Sequence, residues 1–181
     1  FEQRLALFEQ IAQGVSHAHR HLIIHRDLKP SNIMMDLEGE PYLTDFGLAK
    51  REAGEITVTL DGRVIGTPAY MPPEQARGEG HKADRRADIY SLGVVLYQLL
   101  TGTLPFQGEP RMLVVQVLQD EPTPPRKVDR KIPRDLQAIC LKCMEKDAEQ
   151  RYQTAAELAD DLRRFRRGER IRHRGLSSGH P

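Results

Sequence analysis

Two short polar motifs constrain this chain more than any other feature of its sequence. Residues 25–32 read HRDLKPSN and directly follow a helical apolar pattern, and residues 45–47 read DFG. Pro30 fixes one backbone φ angle inside the first motif, which suits a loop that must hold side chains still. Either motif alone could belong to a charged surface turn. Together, at this spacing, they predict a rigid loop that carries several functional side chains.

The side chains of the two motifs suit the transfer of a phosphoryl group to a hydroxyl. That reaction needs a carboxylate near the attacking hydroxyl and cations that neutralise the developing charge. Asp27 is placed to accept the proton of the hydroxyl, and Lys29 can place its ammonium on the phosphate. Asn32 and Asp45 offer the oxygen ligands that Mg²⁺ prefers. We therefore expect a phosphotransfer site at this loop.

Both motifs resemble the catalytic loop and the metal-binding loop of protein kinases, specifically those of bacterial Hanks-type serine/threonine kinases. The resemblance covers residues 1–167 and implies an α+β, mostly α-helical, protein-kinase-like fold. No glycine-rich phosphate loop, Val-Ala-Ile-Lys-like strand or helix glutamate precedes the motifs. We therefore expect the large C-terminal lobe without the N-terminal β lobe. Residues 168–181 are expected to form a basic, polar tail or linker.

The resemblance implies transfer of the ATP γ-phosphate to Ser and Thr hydroxyls of protein substrates, with ATP and Mg²⁺ (or Mn²⁺) as cofactors. Lys29, Asn32 and Asp45 are then the expected nucleotide- and metal-binding residues. Met34 is expected beneath the adenine ring, a role that is compatible with ordinary core packing of the same side chain. The resemblance also leaves room for a dimer that autophosphorylates in trans. Because ATP binds between the two lobes of such an enzyme, we expect this fragment to be inactive alone.

Residues 45–74 resemble a kinase activation segment, which ends here in Pro-Pro-Glu where the family usually has Ala-Pro-Glu. By this resemblance the hydroxyl of Thr67 braces the catalytic aspartate and lysine. Thr57 and Thr59 are the phosphorylation candidates, with ordinary polar loop positions as the alternative. The same resemblance implies that Arg26, directly before Asp27, binds the resulting phosphate, a contact for which an arginine is well suited.

Three charged residues outside the motifs are expected to support the site, again by resemblance. Glu74 would pair with Arg151 inside the lobe, where breaking one side of an ion pair is costly. Asp88 would accept hydrogen bonds from the backbone of the catalytic loop, since a buried carboxylate needs partners. The remaining motif residues with expected structural or regulatory roles are His25, Phe46 and Gly47.

Apolar periodicity predicts five helices and three short strands. The helices are expected at residues 2–20, 87–100, 111–119 and 132–144 and after Thr154, and the strands at 22–24, 33–35 and 42–44. On the third helix, Met112, Val115 and Leu118 share the apolar side that we expect to be packed. Thr154 and Glu157 have the spacing of a capping box.

Two pairs of potential metal ligands have more ordinary explanations. His17 and His21 could clamp a metal from successive helical turns, but no further ligand is suggested nearby. Cys140 and Cys143 also lie one turn apart without a second pair, so we expect packed thiols rather than a zinc or redox site. The basic run of residues 163–174 is expected to be a solvated tail rather than a lipid-binding segment.

Composition excludes some classes of protein. The formal net charge of +1 argues against a globally basic nucleic-acid binder. The two cysteines do not form a disulfide framework, so we expect a cytoplasmic, reducing location, with membrane contact only through an anchor beyond this chain. Two alternatives to an active kinase stay open. One is a pseudokinase or protein-interaction module without an N-terminal lobe, and the other is a small-molecule phosphotransferase with a kinase-like fold.

Overall fold

The computed structural model describes residues 1–46 and 68–173, and these form an α+β unit that is mostly helical, as expected. Helices and strands have the following bounds: α1 Glu2–Arg20, β1 Ile33–Met35, β2 Pro41–Leu43, α2 Pro73–Ala76, α3 Arg85–Thr101, α4 Pro110–Gln119, α5 Pro125–Val128, α6 Arg134–Cys143 and α7 Ala155–Arg166. Single 3₁₀ turns occur at Pro30–Asn32, Pro68–Tyr70, Gly80–Lys82 and Ala148–Gln150. The strands pair antiparallel, with Ile33 opposite Leu43. None of the helices within these two ranges has the length and hydropathy needed to cross a bilayer.

Helix α3 forms the centre of the core because its residues are apolar on almost every side. Asp84 caps its N-terminus by accepting the N–H of Arg86, and Gly102 caps its C-terminus with a φ of 76°. Helix α6 packs directly on it at Gly93, where an added Cβ would lie 2.5 Å from Cβ of Cys143. Glycine is therefore required here by the close approach of the two helices.

Both cysteines lie inside this core, as expected for packed thiols. Cys140 and Cys143 are free and fully buried. The Cys140 thiol lies 3.5 Å from the carbonyl oxygen of Gly93. Burial raises the pKa of both thiols. Neither is poised for redox or metal chemistry, since both need an accessible thiolate.

Helix α1 has the predicted bounds and packs against α7 through its apolar face. At the edge of that contact, Glu9 is 5% exposed and accepts hydrogen bonds from Arg163 at 3.0 Å and Arg166 at 2.6 Å. Arg166 also bonds Glu2 at 3.2 Å. The expectation of a solvated basic tail is therefore wrong for the end of α7, whose arginines join the two helices.

The packed structure extends beyond the expected boundary at residue 167. Ile171 is 2% exposed, and Asp161 accepts the backbone N–H groups of Arg172 at 2.7 Å and His173 at 3.1 Å. Tyr152 donates its hydroxyl to the same carboxylate at 2.9 Å. Residues 168–173 are therefore fastened to the domain rather than forming the start of a tail.

The segment at residues 22–24 is not a strand. It completes the end of α1, because Leu22 N–H donates to the carbonyl of His19 and Ile23 N–H donates to that of Ala18. Leu22 adopts a φ of 60°, the left-handed conformation that usually selects glycine after a helix. The apolar composition predicted a strand, but the carbonyls at the end of the helix need donors, and this turn supplies them.

The buried side of α4 also differs from the prediction. Leu113 and Val117 are buried, whereas Met112 and Val115 are 55% and 44% exposed. Apolar residues occur on both sides of this helix, so its sequence alone did not identify the packed side.

The predicted capping box at the start of α7 is present in shifted form. The side chain of Thr154 accepts the N–H of Glu157, and the side chain of Glu157 accepts the N–H of Gln153 rather than that of Thr154.

Candidate active site

The loop of residues 25–32 holds Asp27, Lys29 and Asn32 together. Asn32 donates its side-chain N–H to the carbonyl oxygen of Asp27 at 2.8 Å, and the same nitrogen lies 3.4 Å from Oδ2 of Asp27. The ammonium of Lys29 lies 3.7 Å from that carboxylate oxygen. The 3₁₀ turn that begins at Pro30 brings the amide back onto the aspartate. A carboxylate, a cation and an amide therefore face one small region.

His25 connects this loop to the segment that carries Asp45. The ring is 1% exposed; its Nε2 donates to the carbonyl oxygen of Thr44 at 2.7 Å, and its Nδ1 accepts the N–H of Asp27 at 3.2 Å. These two contacts require the neutral ring with its proton on Nε2. The ring also packs on Phe46, with 4.7 Å between ring centroids. His25 thus sets the distance between the two motifs.

Strand pairing fixes the same relationship through the backbone. The N–H of Thr44 donates to the carbonyl oxygen of Asn32 at 2.9 Å. Asp45 follows directly, is exposed and has a φ of 55°. Aspartate tolerates this left-handed conformation better than most residues. The hydrogen bond of Thr44 therefore brings the backbone of Asp45 close to Asn32, and these two residues are the expected metal ligands.

Asp88 accepts hydrogen bonds from the backbone of the loop, as expected. Its side chain is 1% exposed; Oδ2 accepts the N–H of His25 at 2.9 Å and Oδ1 accepts that of Arg26 at 2.8 Å. Arg26 has a φ of 66°, which is strained for a residue of this kind. The two hydrogen bonds offset that strain and hold the turn that precedes Asp27.

His19 is a partner of Asp88 that motif reasoning did not include. Its Nε2 lies 2.7 Å from Oδ2 of Asp88. The periodicity of α1 carried a signal, because His19 lies four residues after the buried Val15 and therefore on the packed side of the helix. His17 and His21 lie on the exposed side, with ring centroids 4.6 Å apart. No group of three or more potential metal ligands occurs in residues 1–46 and 68–173.

Met34 does not belong to the core of the described residues. Its side chain is 45% exposed, and so is that of Met35, while Tyr42 on the paired strand is 48% exposed. The expectation that Met34 also packs in the core is therefore wrong for these residues. Met34 lies opposite Tyr42 in the β1–β2 hairpin, so these two side chains share one exposed face, whereas Met35 lies on the other face.

The pairing expected between Glu74 and Arg151 is present: Nη1 and Nη2 of Arg151 donate to the two carboxylate oxygens of Glu74, each at 2.8 Å. The residues just before Glu74 are tied to α3: Ser91 donates to the carbonyl oxygen of Tyr70 at 2.7 Å, and the Tyr70 hydroxyl donates to Gln98 at 2.7 Å. Burial raises the pKa of that hydroxyl. Four predicted site residues lie outside the described residues: Gly47, Thr57, Thr59 and Thr67.

Comparison with known proteins agrees with this geometry. Residues 2–162 match the family model described as protein kinase domain. Serine/threonine-protein kinase PknB of Mycobacterium leprae is 42% identical over 169 residues, which are 93% of this chain and 27% of that protein. A probable serine/threonine-protein kinase of Clostridium perfringens is 39% identical over 168 residues, 92% of this chain and 24% of that protein.

The chain therefore belongs to the protein kinase domain family. Within that family it is of the bacterial, Hanks-type serine/threonine kind, as the two motifs predicted. It spans about a quarter of the length of the curated relatives that it matches.

Proposed function

We propose that the protein containing this chain transfers the γ-phosphate of ATP to Ser and Thr hydroxyls of protein substrates. The observation that carries the proposal is the hydrogen bond from Asn32 Nδ2 to the carbonyl oxygen of Asp27 at 2.8 Å. Because the side-chain nitrogen of Asn32 makes this bond, the side-chain oxygen Oδ1 of Asn32 remains for another contact. The proposed base and a proposed metal ligand are thus held by one short loop.

Each proposed role follows from the chemistry of the side chain. Asp27 accepts the proton of the substrate hydroxyl, and Lys29, within 3.7 Å of that carboxylate, contacts the phosphate being transferred. Asn32 and Asp45 would hold Mg²⁺ or Mn²⁺ through oxygen atoms, the ligands that such ions prefer. When bound, the ion would neutralise charge on the phosphates. Met34, on the exposed face of the hairpin, would contact the adenine ring.

The activation segment completes the proposal, although its central residues lie outside the described ranges. Thr67 is proposed to brace the Asp27 and Lys29 pair, and Gly47 to have a structural or regulatory role. A phosphate on Thr57 or Thr59 would bind Arg26, whose backbone is already held by Asp88. Transfer of that phosphate between two copies of the protein is the corresponding proposal for a partner.

A second lobe is proposed to cover the hairpin face formed by Met34 and Tyr42, which lie opposite each other. Both side chains are about half exposed in the described residues, and contact with a second lobe would bury them. ATP would then lie between this surface and the second lobe, so the chain alone is proposed to be inactive. The buried free thiols of Cys140 and Cys143 support a reducing, cytoplasmic location.

The test is Asp27→Asn in the full-length protein, assayed by transfer of ³²P from ATP to a generic Ser/Thr protein substrate. We expect turnover to fall by at least about a hundredfold, because removing a general base typically costs that much. Asp36→Asn is the matched control, since within the described part of the chain the side chain of Asp36 accepts hydrogen bonds from Glu38 and Glu40 of its own hairpin turn. Undiminished turnover in Asp27→Asn would overturn the assignment of the base. An inactive wild-type protein that still binds partners would favour the pseudokinase, and label in a small molecule would favour the small-molecule phosphotransferase.

A further inference from the structure

Two segments of the chain concentrate positive charge, and they differ in how far the fold neutralises it. In residues 163–174, Arg163 and Arg166 pair with the buried Glu9 at 3.0 Å and 2.6 Å. The other segment, here termed the basic turn, is residues 126–134, which run from α5 to the first residue of α6. It has five cations and one acid, a formal net charge of +4, whereas the whole chain carries +1.

The cations of the basic turn are not neutralised by the described part of the chain. Four of them are exposed and form no ion pair with a carboxylate within residues 1–46 and 68–173: Lys127, Arg130, Lys131 and Arg134. The acid, Asp129, accepts the backbone N–H of Lys131 at 2.9 Å. The positive charge of the turn is therefore available to an anionic partner.

The fifth cation, Arg126, holds the turn in one shape. Its Nη1 donates to the carbonyl oxygen of Ile132 at 2.7 Å, and its backbone N–H donates to the side chain of Gln137 at 2.9 Å. Ile132 is 4% exposed, and its N–H donates to the carbonyl oxygen of Asp129 at 3.2 Å. Because both ends of the turn are fastened in this way, its exposed side chains need little ordering on binding.

An exposed apolar side chain lies among these cations. Val128 is 46% exposed, although α5 packs on α3 and α6. The cavities of about 810 Å³ and 460 Å³ found in the described residues are lined by other parts of the chain. The basic turn therefore suits contact with a broad surface better than enclosure of a small ligand.

We propose that the basic turn binds the surface of a membrane that contains anionic phospholipids. The negative potential of such a surface attracts lysine and arginine, and Val128 can enter the boundary between headgroups and acyl chains. A nucleic acid also offers phosphates, but the turn has no aromatic side chain that could stack on a base. This inference does not rest on the proposed phosphotransfer activity.

The test uses a dye whose emission shifts to the blue in an apolar environment, attached to the full-length protein at Val128→Cys. Cys140 and Cys143 are fully buried and will not react, and any other accessible cysteine is replaced first. The protein is mixed with, or reconstituted in, phosphatidylcholine vesicles that contain increasing fractions of phosphatidylserine. Because the dye reports on the turn itself, the readout does not depend on how the rest of the protein meets the vesicle.

We expect the emission to shift to the blue as the fraction of phosphatidylserine rises, and high salt should reverse the shift because it screens the attraction. The dye placed instead at Leu37→Cys should not respond, since Leu37 is fully exposed on the acidic hairpin turn.

The decisive variant replaces the four exposed cations of the turn by glutamine. The ratio of bound to free turn should fall by at least about a hundredfold, because each cation near an anionic surface contributes about fivefold. The matched control replaces four exposed cations elsewhere by glutamine: Arg4, Arg77, Lys82 and Arg170. This control should bind within about threefold of the parent protein, because distant charges are largely screened.

Three results would overturn the proposal. One is an emission that does not depend on phosphatidylserine, and another is an equal loss of binding in the two fourfold variants. The third is a response to polyglutamate or to RNA without a response to vesicles, which would identify a different anionic partner. Should the fourfold variant of the turn fail to fold by circular dichroism, Lys127→Gln combined with Lys131→Gln decides, with an expected loss of at least about tenfold.

Discussion

The guanidinium of Arg151 uses all of its N–H groups in the core of the molecule, and the carboxylate of Glu74 takes two of them at 2.8 Å. The other donors bond the carbonyl oxygens of Glu145, Arg86 and Lys146. The side chain of Arg151 is fully buried, and that of Glu74 is 16% exposed. This pair joins the short helix α2 to α3 and to the loop between α6 and α7. It therefore fixes the end of the activation segment against the helical core.

Arg151→Lys should destabilise the protein strongly, because a lysine has three donors on one nitrogen and cannot replace the planar fork. We expect the free energy of unfolding to fall by about 3 kcal/mol, the usual cost of breaking a buried pair from one side. Urea unfolding measures it. Arg85→Lys is the control, since Arg85 is exposed and its Nε donates to the carbonyl of Gln153; its cost should stay below about 1 kcal/mol. Equal losses in the two variants would contradict the prediction.

Gly93→Ala should destabilise the contact between α3 and α6. The added Cβ would lie 2.5 Å from Cβ of Cys143 and 2.8 Å from Cγ of Met144, so one helix must move. The expected cost is about 1–3 kcal/mol, which is typical of overpacking a core. Gly14→Ala provides the opposite case on α1, where nothing lies within 4 Å of an added Cβ. The higher helix propensity of alanine should raise the free energy of unfolding by up to about 1 kcal/mol. Thermal unfolding of both variants tests the pair, and a stabilised Gly93→Ala would show that the helices can separate at little cost.

Asp161 should make stability depend on pH in the acid range. Burial alone would raise the pKa of Asp161, but hydrogen bonds from the backbone of Arg172, from Tyr152 and from His173 outweigh burial and hold the pKa below its usual range. A carboxyl group whose pKa is lowered by folding stabilises the protein above its unfolded pKa of about 4 and loses that contribution as the pH falls through the folded pKa. The wild-type protein should therefore lose stability on acidification.

The measurement is urea unfolding of wild type and Asp161→Asn at several values between pH 5 and pH 3. At pH 5 the variant should be less stable by about 1–3 kcal/mol, because the buried donors lose a charged acceptor. The difference should shrink as the pH falls. The exposed Asp120, changed to Asn, should show no such change. A difference between wild type and Asp161→Asn that does not vary with pH would contradict the prediction.

The features that sequence predicted well are those decided by a local pattern or by the chemistry of one side chain. The bounds of α1 followed from its apolar period, and the burial of Asp88 required donors that the nearby loop supplies. The features that the sequence did not predict depend on contacts between parts of the chain that lie far apart in sequence. Apolar residues occur on both sides of α4, and the packed side is chosen by neighbours distant in sequence. The arginines of α7 were expected in solvent because Glu2 and Glu9, their partners, lie at the other end of the chain.

Leu22→Gly should stabilise the protein, which is unusual for the loss of a large apolar side chain. Leu22 is 93% exposed, so its removal costs little burial, and its φ of 60° is unfavourable for any residue with a Cβ. Glycine relieves that strain at the end of α1, although it also makes the unfolded chain more flexible. We expect a net gain of about 0.5–1 kcal/mol in the free energy of unfolding, measured in urea. Leu37→Gly is the matched control, because Leu37 is also fully exposed but does not have a positive φ. For Leu37→Gly the free energy of unfolding should fall by up to about 1 kcal/mol, because glycine makes the unfolded chain more flexible and there is no strain to relieve. If both variants were destabilised equally, the left-handed turn at Leu22 would carry no strain.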